Sequence, residues 1–281
     1  MESRIGVNLD IILEHLVTVF LEVRDYLLRH QDRRKVVGKN PKGDATREFD
    51  FEAEKIAINY LLKHFPTSRI LTEELGMVNE SLKDYDYLFV IDPVDGSVNF
   101  ANGIPLTGFA IAVLEKGIIS TDRVTHGIIG QIYSGAYFTA KKGGGAYLRD
   151  RPIRTNPEVT FEKSIVTCSL NHFAPEHFLL FQGVNKTFKQ IRSFACSSIE
   201  LSYLIQGITG AHYDFRKSVT AENFLAPALI LSEMGGKLSD LYGNPISNIE
   251  NLSEGYSIVA SHKAKDHRRY LEVLRNPDLY G

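Results

Sequence analysis

Cysteine is scarce in this chain: Cys168 and Cys196 are the only two in 281 residues. That excludes a disulfide framework and points to a reducing compartment. A surplus of one charge sign is missing too. The formal net charge is −2, so no global field draws in nucleic acid or a membrane surface. No apolar run approaches the roughly 20 residues of a membrane span, and no charged-then-apolar leader pattern opens the chain. The nine histidines form no HExxH or comparable cluster. Gly143-Gly144-Gly145 reads as a hairpin turn, because no Lys-Ser/Thr pair follows to make it a phosphate loop. The basic stretch from Arg29 to Lys35 reads as a solvated helix end. These absences lead us to expect a soluble, cytoplasmic protein with neither nucleic acid nor membrane as a partner. The rest is ordinary globular composition, 43% hydrophobic and 23% charged, with length enough for one large or two ordinary domains.

What is present centres on Ile91-Asp92-Pro93-Val94-Asp95-Gly96-Ser97-Val98-Asn99-Phe100, with Glu73-Glu74 upstream. The hydrophobic run Tyr87 to Ile91 feeds into two carboxylates, held by a proline and released by a glycine. Apolar strands that end this way bury their run and present charge at the sheet edge. Acidic groups converging there repel one another unless a cation lies between them. Hard carboxylate oxygens favour Mg2+ or Mn2+ over zinc.

The pattern along the chain predicts an α/β (α+β) fold in two parts. A helix over 8–30, capped by Asn8, carries Ile12, Leu16, Val19, Phe20, Val23 and Leu27 at helical spacing. A second helix is expected over Asp50 to His64, with Phe51, Ile56, Ala57, Tyr60 and Leu61 inward. The polar stretch Lys35 to Phe49 between them reads as a loop or loose hairpin. Short strands follow at Arg69–Thr72, Tyr87–Ile91, Gly108–Leu114, Gly127–Gln131, Ala136–Ala140 and Ala146–Leu148, their later members an antiparallel meander. After Arg151-Pro152 strands alternate with helices. Strands are expected at Ser164–Ser169, Ala211–Phe215, Lys237–Ser239 and Ser257–Ala260. Helices are expected near Glu176–Val184, Ile199–Gly207, Asn223–Met234 and Lys263–Leu274. We place a boundary near residue 150, giving 1–150 as an α+β half carrying most of the acidic cluster and 151–281 as a smaller α/β half completing the site.

These residues resemble the inositol monophosphatase superfamily of Mg2+-dependent, lithium-sensitive sugar-phosphate phosphatases. The resemblance rests on Glu73-Glu74, on the motif from Asp92 to Phe100, on the loop Gly43 to Asp50, and on Ala228 to Asp240. Gly103-Ile104-Pro105 and Asp214-Phe215-Arg216 are similar to the archaeal subgroup that dephosphorylates both inositol phosphate and fructose 1,6-bisphosphate. The resemblance implies a layered αβαβα fold with a mostly antiparallel N-terminal sheet, a homodimer, and two to three Mg2+ ions. It implies that Glu73, Asp92 and the Val94 carbonyl hold the first metal, and that Asp92 bridges to a second shared with Asp95 and the residue at 223. Glu73 would help hold a third, weaker ion. Asp50 and Ser97, with Glu73, would serve catalysis by preparing the attacking water. Substrate contacts would come from Asp95, Gly96, Ser97, Cys196, Asp214, Arg216 and Lys217, with backbone N–H groups at Gly96 and Ser97 cradling the phosphate. Glu74 and Asp44 are read as supporting residues, and Cys168 as inert core.

One position departs from the family pattern, which has a carboxylate where Asn223 stands. An amide oxygen can coordinate Mg2+ but brings no charge, and the adjacent Glu222 projects roughly 100° away on a helix. Two other readings therefore stand beside the sugar or inositol phosphatase. One is a 3'-phosphoadenosine or dinucleotide phosphatase of the same superfamily. The other is a weakly active or non-catalytic regulatory binding protein on the same scaffold.

Overall fold

The computed structural model describes residues 10–171 and 174–276. Helix α1 spans Ile11–Arg29 and is capped by Asp10, whose carboxylate accepts from the Ile12 N–H at 2.9 Å. Asn8, the expected cap, lies outside the described residues. The predicted stripe is otherwise in place, with Ile12, Leu16, Val19, Phe20, Val23 and Leu27 buried. Strands β1 (Val36–Lys39) and β2 (Ala45–Arg47) form an antiparallel hairpin where a loop or loose hairpin was expected.

Helix α2 runs Glu48–His64 and starts two residues earlier than predicted. Its inward stripe is Phe49, Ala53, Ala57 and Leu61, with Asp50 and Glu54 also buried. Phe51, Ile56 and Tyr60 are only partly buried. The longer apolar side chains misled the assignment, because two acids share the buried face.

The first sheet is built from β3 (Ser68–Thr72), β4 (Gly76–Val78), β5 (Tyr87–Asp95), β6 (Gly108–Glu115), β7 (Val124–Gln131), β8 (Tyr137–Lys141), β9 (Gly145–Leu148) and β10 (Arg151–Ile153); the short helix α3 (Ser97–Ala101) follows β5. Its order is β10-β9-β8-β7-β6-β5-β3-β4, antiparallel except for the β3–β5 pair. Side chains alternate across it. Phe89, Ile91, Phe109, Ile111 and Val113 face α1 and α2, while Leu88, Val90, Ala112 and Leu114 face the opposite core.

The second sheet uses β11 (Val166–Cys168), β12 (Ile191–Arg192), β13 (Ala211–Val219), β14 (Lys237–Ser239) and β15 (Tyr256–Ser261), in the order β12-β11-β13-β15-β14. Helices α4 (Phe178–Thr187), α5 (Ser197–Ile205), α6 (Ala221–Met234) and α7 (His267–Arg275) complete the chain. Helices α5 and α6 lie between the sheets: Leu201, Leu204, Phe224 and Leu231 share one core with Val90 of the first sheet and Ile258 of the second. Helices α4 and α7 cover the second sheet's outer face through Val184, Tyr270 and Leu274. The result is the five-layer αβαβα arrangement. Strands β4, β10 and β12, of two or three residues each, carried too little periodicity to be foreseen.

Candidate active site

The site forms where β3 and β5 end, against α2 and α6. Along β5 the register against β6 slips between Asp92, opposite Ala110, and Asp95, opposite Gly108. Three residues on one strand thus span two on the other, a bulge at Pro93. In an unbroken strand, side chains three apart point to opposite faces; the extra residue brings Asp92 and Asp95 to one side. Gly96 then adopts φ 87°, and a Cβ there would stand 3.0 Å from the Leu106 carbonyl oxygen and 3.1 Å from Cys196 Cβ. The chain turns at Gly96 into α3, which Asn99 pins by donating to the carbonyls of Leu106 (2.9 Å) and Phe194 (2.8 Å).

Asp92 is fully enclosed. Its Oδ1 accepts from the Val94 N–H at 2.9 Å and its Oδ2 from Asn223 Nδ2 at 2.7 Å. Burial, then the charges of Glu73, Asp95 and Glu222, raise its pKa well above the carboxylate range. Asp95 is buried beside it, accepting from the Ser198 N–H, with its carbonyl taking the Cys196 thiol at 3.2 Å. The Val94 carbonyl accepts from Ser97 Oγ at 3.0 Å. Asp50, in the first turn of α2, accepts from the Arg47 N–H at 3.2 Å and leaves Oδ1 buried without a partner. Burial pushes Asp50 up to about 8, and the nearby Ser97 hydroxyl only partly offsets it. Ser97 is therefore close to Asp50 but committed to Val94. Glu74 accepts from Thr46 Oγ1, and burial takes it up to about 7.

Asp50, Glu73, Glu74, Asp92, Val94 and Ser97 line one small recess. It opens into a cleft of about 470 Å3 that Asp44, Asp95, Gly96, Asn171, Ala195 and Asn223 also border. A second depression, lined by Asp95, Ser169, Cys196, Arg216 and Asn223, adjoins it.

The sequence profile of the inositol monophosphatase family matches residues 8–277. The chain belongs to that family. The fructose-1,6-bisphosphatase/inositol-1-monophosphatase of Methanocaldococcus jannaschii is 29% identical over 241 residues, 86% of this chain and 89% of that protein. Nus factor SuhB of Pseudomonas aeruginosa is 29% identical over 247 residues, 85% of this chain and 87% of that one. A crystal structure of an inositol monophosphatase-fructose 1,6 bisphosphatase superposes with TM-score 0.79 at 26% identity, covering 93% of this chain and 98% of that chain.

The family is generally Mg2+-dependent, and the recess suits a hard dication on the Glu73, Asp92 and Val94 side. Five carboxylates border it, with Glu54 added to those above, and Asp50 presents an orphaned oxygen there. Among the described residues no three His, Cys, Asp or Glu side chains form a finished ligand triad. The fit lies in charge crowding and oxygen chemistry. The α6 side differs. Asn223 presents its N–H, not its oxygen, to Asp92. Beside it the fully buried Glu222 accepts from Lys42 Nζ at 2.6 Å, and the same ammonium reaches Glu73 at 3.1 Å. A dication shared by Asp92, Asp95 and Asn223 does not fit that arrangement.

Of the expected substrate residues, Gly96, Ser97, Asp95, Cys196 and Arg216 border the clefts. Cys196 is buried, and burial followed by the Asp95 charge pushes its thiol pKa up. Asp214 is fully buried and does not border either cleft; it holds Arg216 from both oxygens, Nε at 3.0 Å and Nη2 at 2.6 Å. Lys217 is not brought to the site: its backbone takes φ 55° and its side chain is exposed outside both clefts.

Sequence reasoning missed Lys42, and it passed over Glu54, whose carboxylate accepts the Glu74 N–H at 3.0 Å and the Leu75 N–H at 2.9 Å. An acid four residues after Asp50, on the face of α2 that holds Phe49 and Ala53, was the available signal. Lys42 offered none, because its partners lie far away in sequence.

Proposed function

We propose that this chain hydrolyses phosphate monoesters of small polyols, inositol phosphate and fructose 1,6-bisphosphate, with Mg2+ as cofactor and Mn2+ as a substitute. The observation that carries this reading is the convergence of Asp50, Glu73 and Asp92 on one recess that opens into a cleft bordered by Asp95 and the Gly96 turn. Monoester hydrolysis is among the slowest uncatalysed reactions, so dense charge at the phosphoryl group suits it. Glu73, Asp92 and the Val94 carbonyl would hold the ion. Bound there, Mg2+ supplies neutralisation of phosphoryl charge and a lowered pKa for attacking water.

The protein's own groups do the rest. Asp50, pushed up to about 8, would give up its own proton when the dication binds and as a carboxylate take up the proton of the attacking water, with Ser97 close by. The Gly96–Ser97 turn faces the phosphate. Arg216, set by Asp214 and by the Asn171 carbonyl at 2.7 Å, gives the adjoining depression a fixed cation for a second phosphate or a ring hydroxyl.

Where family resemblance implies two to three ions, the α6-side geometry supports a smaller complement. No helix among the described residues is long and apolar enough to cross a membrane. A cytoplasmic homodimer is the assembly we propose with this activity. Phosphate release from inositol 1-phosphate, fructose 1,6-bisphosphate and 3'-phosphoadenosine compounds, with Mg2+ titrated, tests the reading. Preference for the first two supports it. Turnover confined to adenosine phosphates, or none at any Mg2+ concentration, sinks it.

A second reading has its own support. Asn223 already satisfies Asp92 and Lys42 already neutralises Glu222, as in a scaffold kept for binding, and one relative is named a Nus factor.

A further inference from the structure

Lys42 sits at the tip of the β1–β2 hairpin, and its backbone is held there. Asn40 Oδ1 accepts from the N–H groups of Lys42 at 3.0 Å and Asp44 at 2.9 Å, closing the turn. From this fixed base the side chain crosses to α6. Its ammonium meets Glu222 Oε1 at 2.6 Å, Thr220 Oγ1 at 3.0 Å and Glu73 Oε1 at 3.1 Å. Three acceptors match the three hydrogens an ammonium has to give. Only 17% of the Lys42 side chain is exposed, and none of Glu222. The next residue, Asn223, spends its amide N–H on Asp92 Oδ2. Through Glu222 and Asn223, consecutive residues of α6, an ammonium and an N–H donor face the carboxylates, where shared ligation of a dication would require oxygen lone pairs.

We propose that the Lys42 ammonium is the resident counter-cation on the α6 side of this site, standing in for a second divalent ion, so that the resting protein holds a single divalent ion on the Glu73–Asp92 side. This deepens the metal-dependent reading above and rests on it. The swap is internally consistent. The carboxylate absent at position 223 is supplied at 222, one residue round the helix, where it faces Lys42 and not the open cleft. A strongly bound ammonium cannot bridge two phosphoryl oxygens in the way a dication does, so substrate must find its second positive contact elsewhere, at Arg216.

The test is Mn2+ stoichiometry on the full-length, chelator-stripped protein without substrate, by equilibrium dialysis with free Mn2+ read by electron paramagnetic resonance. Wild type should bind one Mn2+ per chain and Lys42→Met/Asn223→Asp two. Asn223→Asp alone keeps the Lys42–Glu222 pair and should take its second ion at least tenfold more weakly than the double variant. Should Lys42→Met unfold the chain by stranding Glu222, Lys42→Met/Glu222→Gln/Asn223→Asp carries the same comparison. Two ions on wild type, a double variant that stays at one, or equal second-ion affinity with and without Lys42 overturns the proposal. Binding of no ion by any variant overturns the metal-dependent reading as well, and so separates the two failures.

Discussion

Asn223 Nδ2 lies 2.7 Å from Asp92 Oδ2, joining the first turn of α6 to the bulge of β5 across 131 residues. A donor from α6 thus stabilises the charged form of a carboxylate that Glu73, Asp95 and Glu222 all oppose. Two carboxyl groups at that separation would have to share a proton or a cation.

Asp92→Asn should therefore separate stability from activity. Replacing a carboxyl whose ionisation burial and its acidic neighbours oppose by a neutral amide should raise the melting temperature of the metal-free protein at pH 8. Turnover should fall at least ~100-fold, the loss expected when a main electrostatic contact to the reacting group goes. Calorimetry and phosphate release measure the two; a loss of both stability and activity would make Asp92 structural.

Asp50 and Glu74, pushed up to about 8 and about 7, hold protons near neutral pH when no ion is bound. A dication entering the recess displaces those protons, so Mg2+ binding should tighten as pH rises from 6 to 9. Calorimetric titration in buffers of different ionisation enthalpy gives the number released. Asp50→Asn should release fewer and lower kcat ~100-fold or more. An unchanged proton count would remove Asp50 from the coupling.

The strands that frame this site were legible because their signal is local. Tyr87 to Ile91 is an unbroken apolar run, and the Pro93–Gly96 pair marks the bulge and turn that aim Asp92 and Asp95 together. The five-layer fold and the recess followed from those residues and the family pattern. Residues whose role depends on distant partners were not legible. Lys42 finds Glu222 at a separation of 180 residues, and no periodicity announces that. Asp214 and Lys217 were both expected to contact substrate; burial under Arg216 and a left-handed backbone at Lys217 divide them.

Arg216 should matter for substrate affinity more than for the chemical step, because it borders the depression beside the acidic recess and not the recess itself. Arg216→Ala should raise KM for fructose 1,6-bisphosphate about tenfold, one charge-assisted contact, with a smaller effect on kcat. Steady-state kinetics with inositol 1-phosphate alongside is the check. Equal KM values for variant and wild type on both substrates would leave Arg216 only a structural partner of Asp214.

Acid stability has a separate source. His267 is enclosed between Ser239 Oγ and Ser261 Oγ, each at 2.8 Å, and burial lowers its pKa to about 4. The unfolded chain binds a proton near 6.5 that the folded chain refuses. The neutral histidine's contribution is therefore complete above pH 6.5 and is lost as pH falls toward 4. His267→Gln should lose stability at pH 7 yet flatten the decline between pH 6.5 and 4, as read by urea unfolding at each pH. A parallel decline in both proteins would assign the acid sensitivity elsewhere.

The Lys42–Glu222 pair predicts the sharpest stability effect. Glu222 is fully enclosed, its Oε2 has no partner, and burial raises its pKa to about 6 even with Lys42 lowering it. Lys42→Met would leave that carboxylate without its cation, a change that costs about 3–5 kcal/mol for a buried pair. Lys42→Met/Glu222→Gln should recover most of the loss, since a neutral amide can still accept from Thr220. The pH dependence carries a definite sign. Without Lys42, the folded-state pKa of Glu222 rises above about 6, so the folded variant binds a proton that wild type lacks as pH falls. Its deficit should be largest above pH 7 and shrink toward pH 5, where both proteins carry a neutral Glu222. Urea unfolding of the metal-free proteins at pH 5 and pH 8 measures this directly. A deficit that is the same at both pH values would mean that Lys42 acts through packing of its stem, and that its charge is not what Glu222 requires.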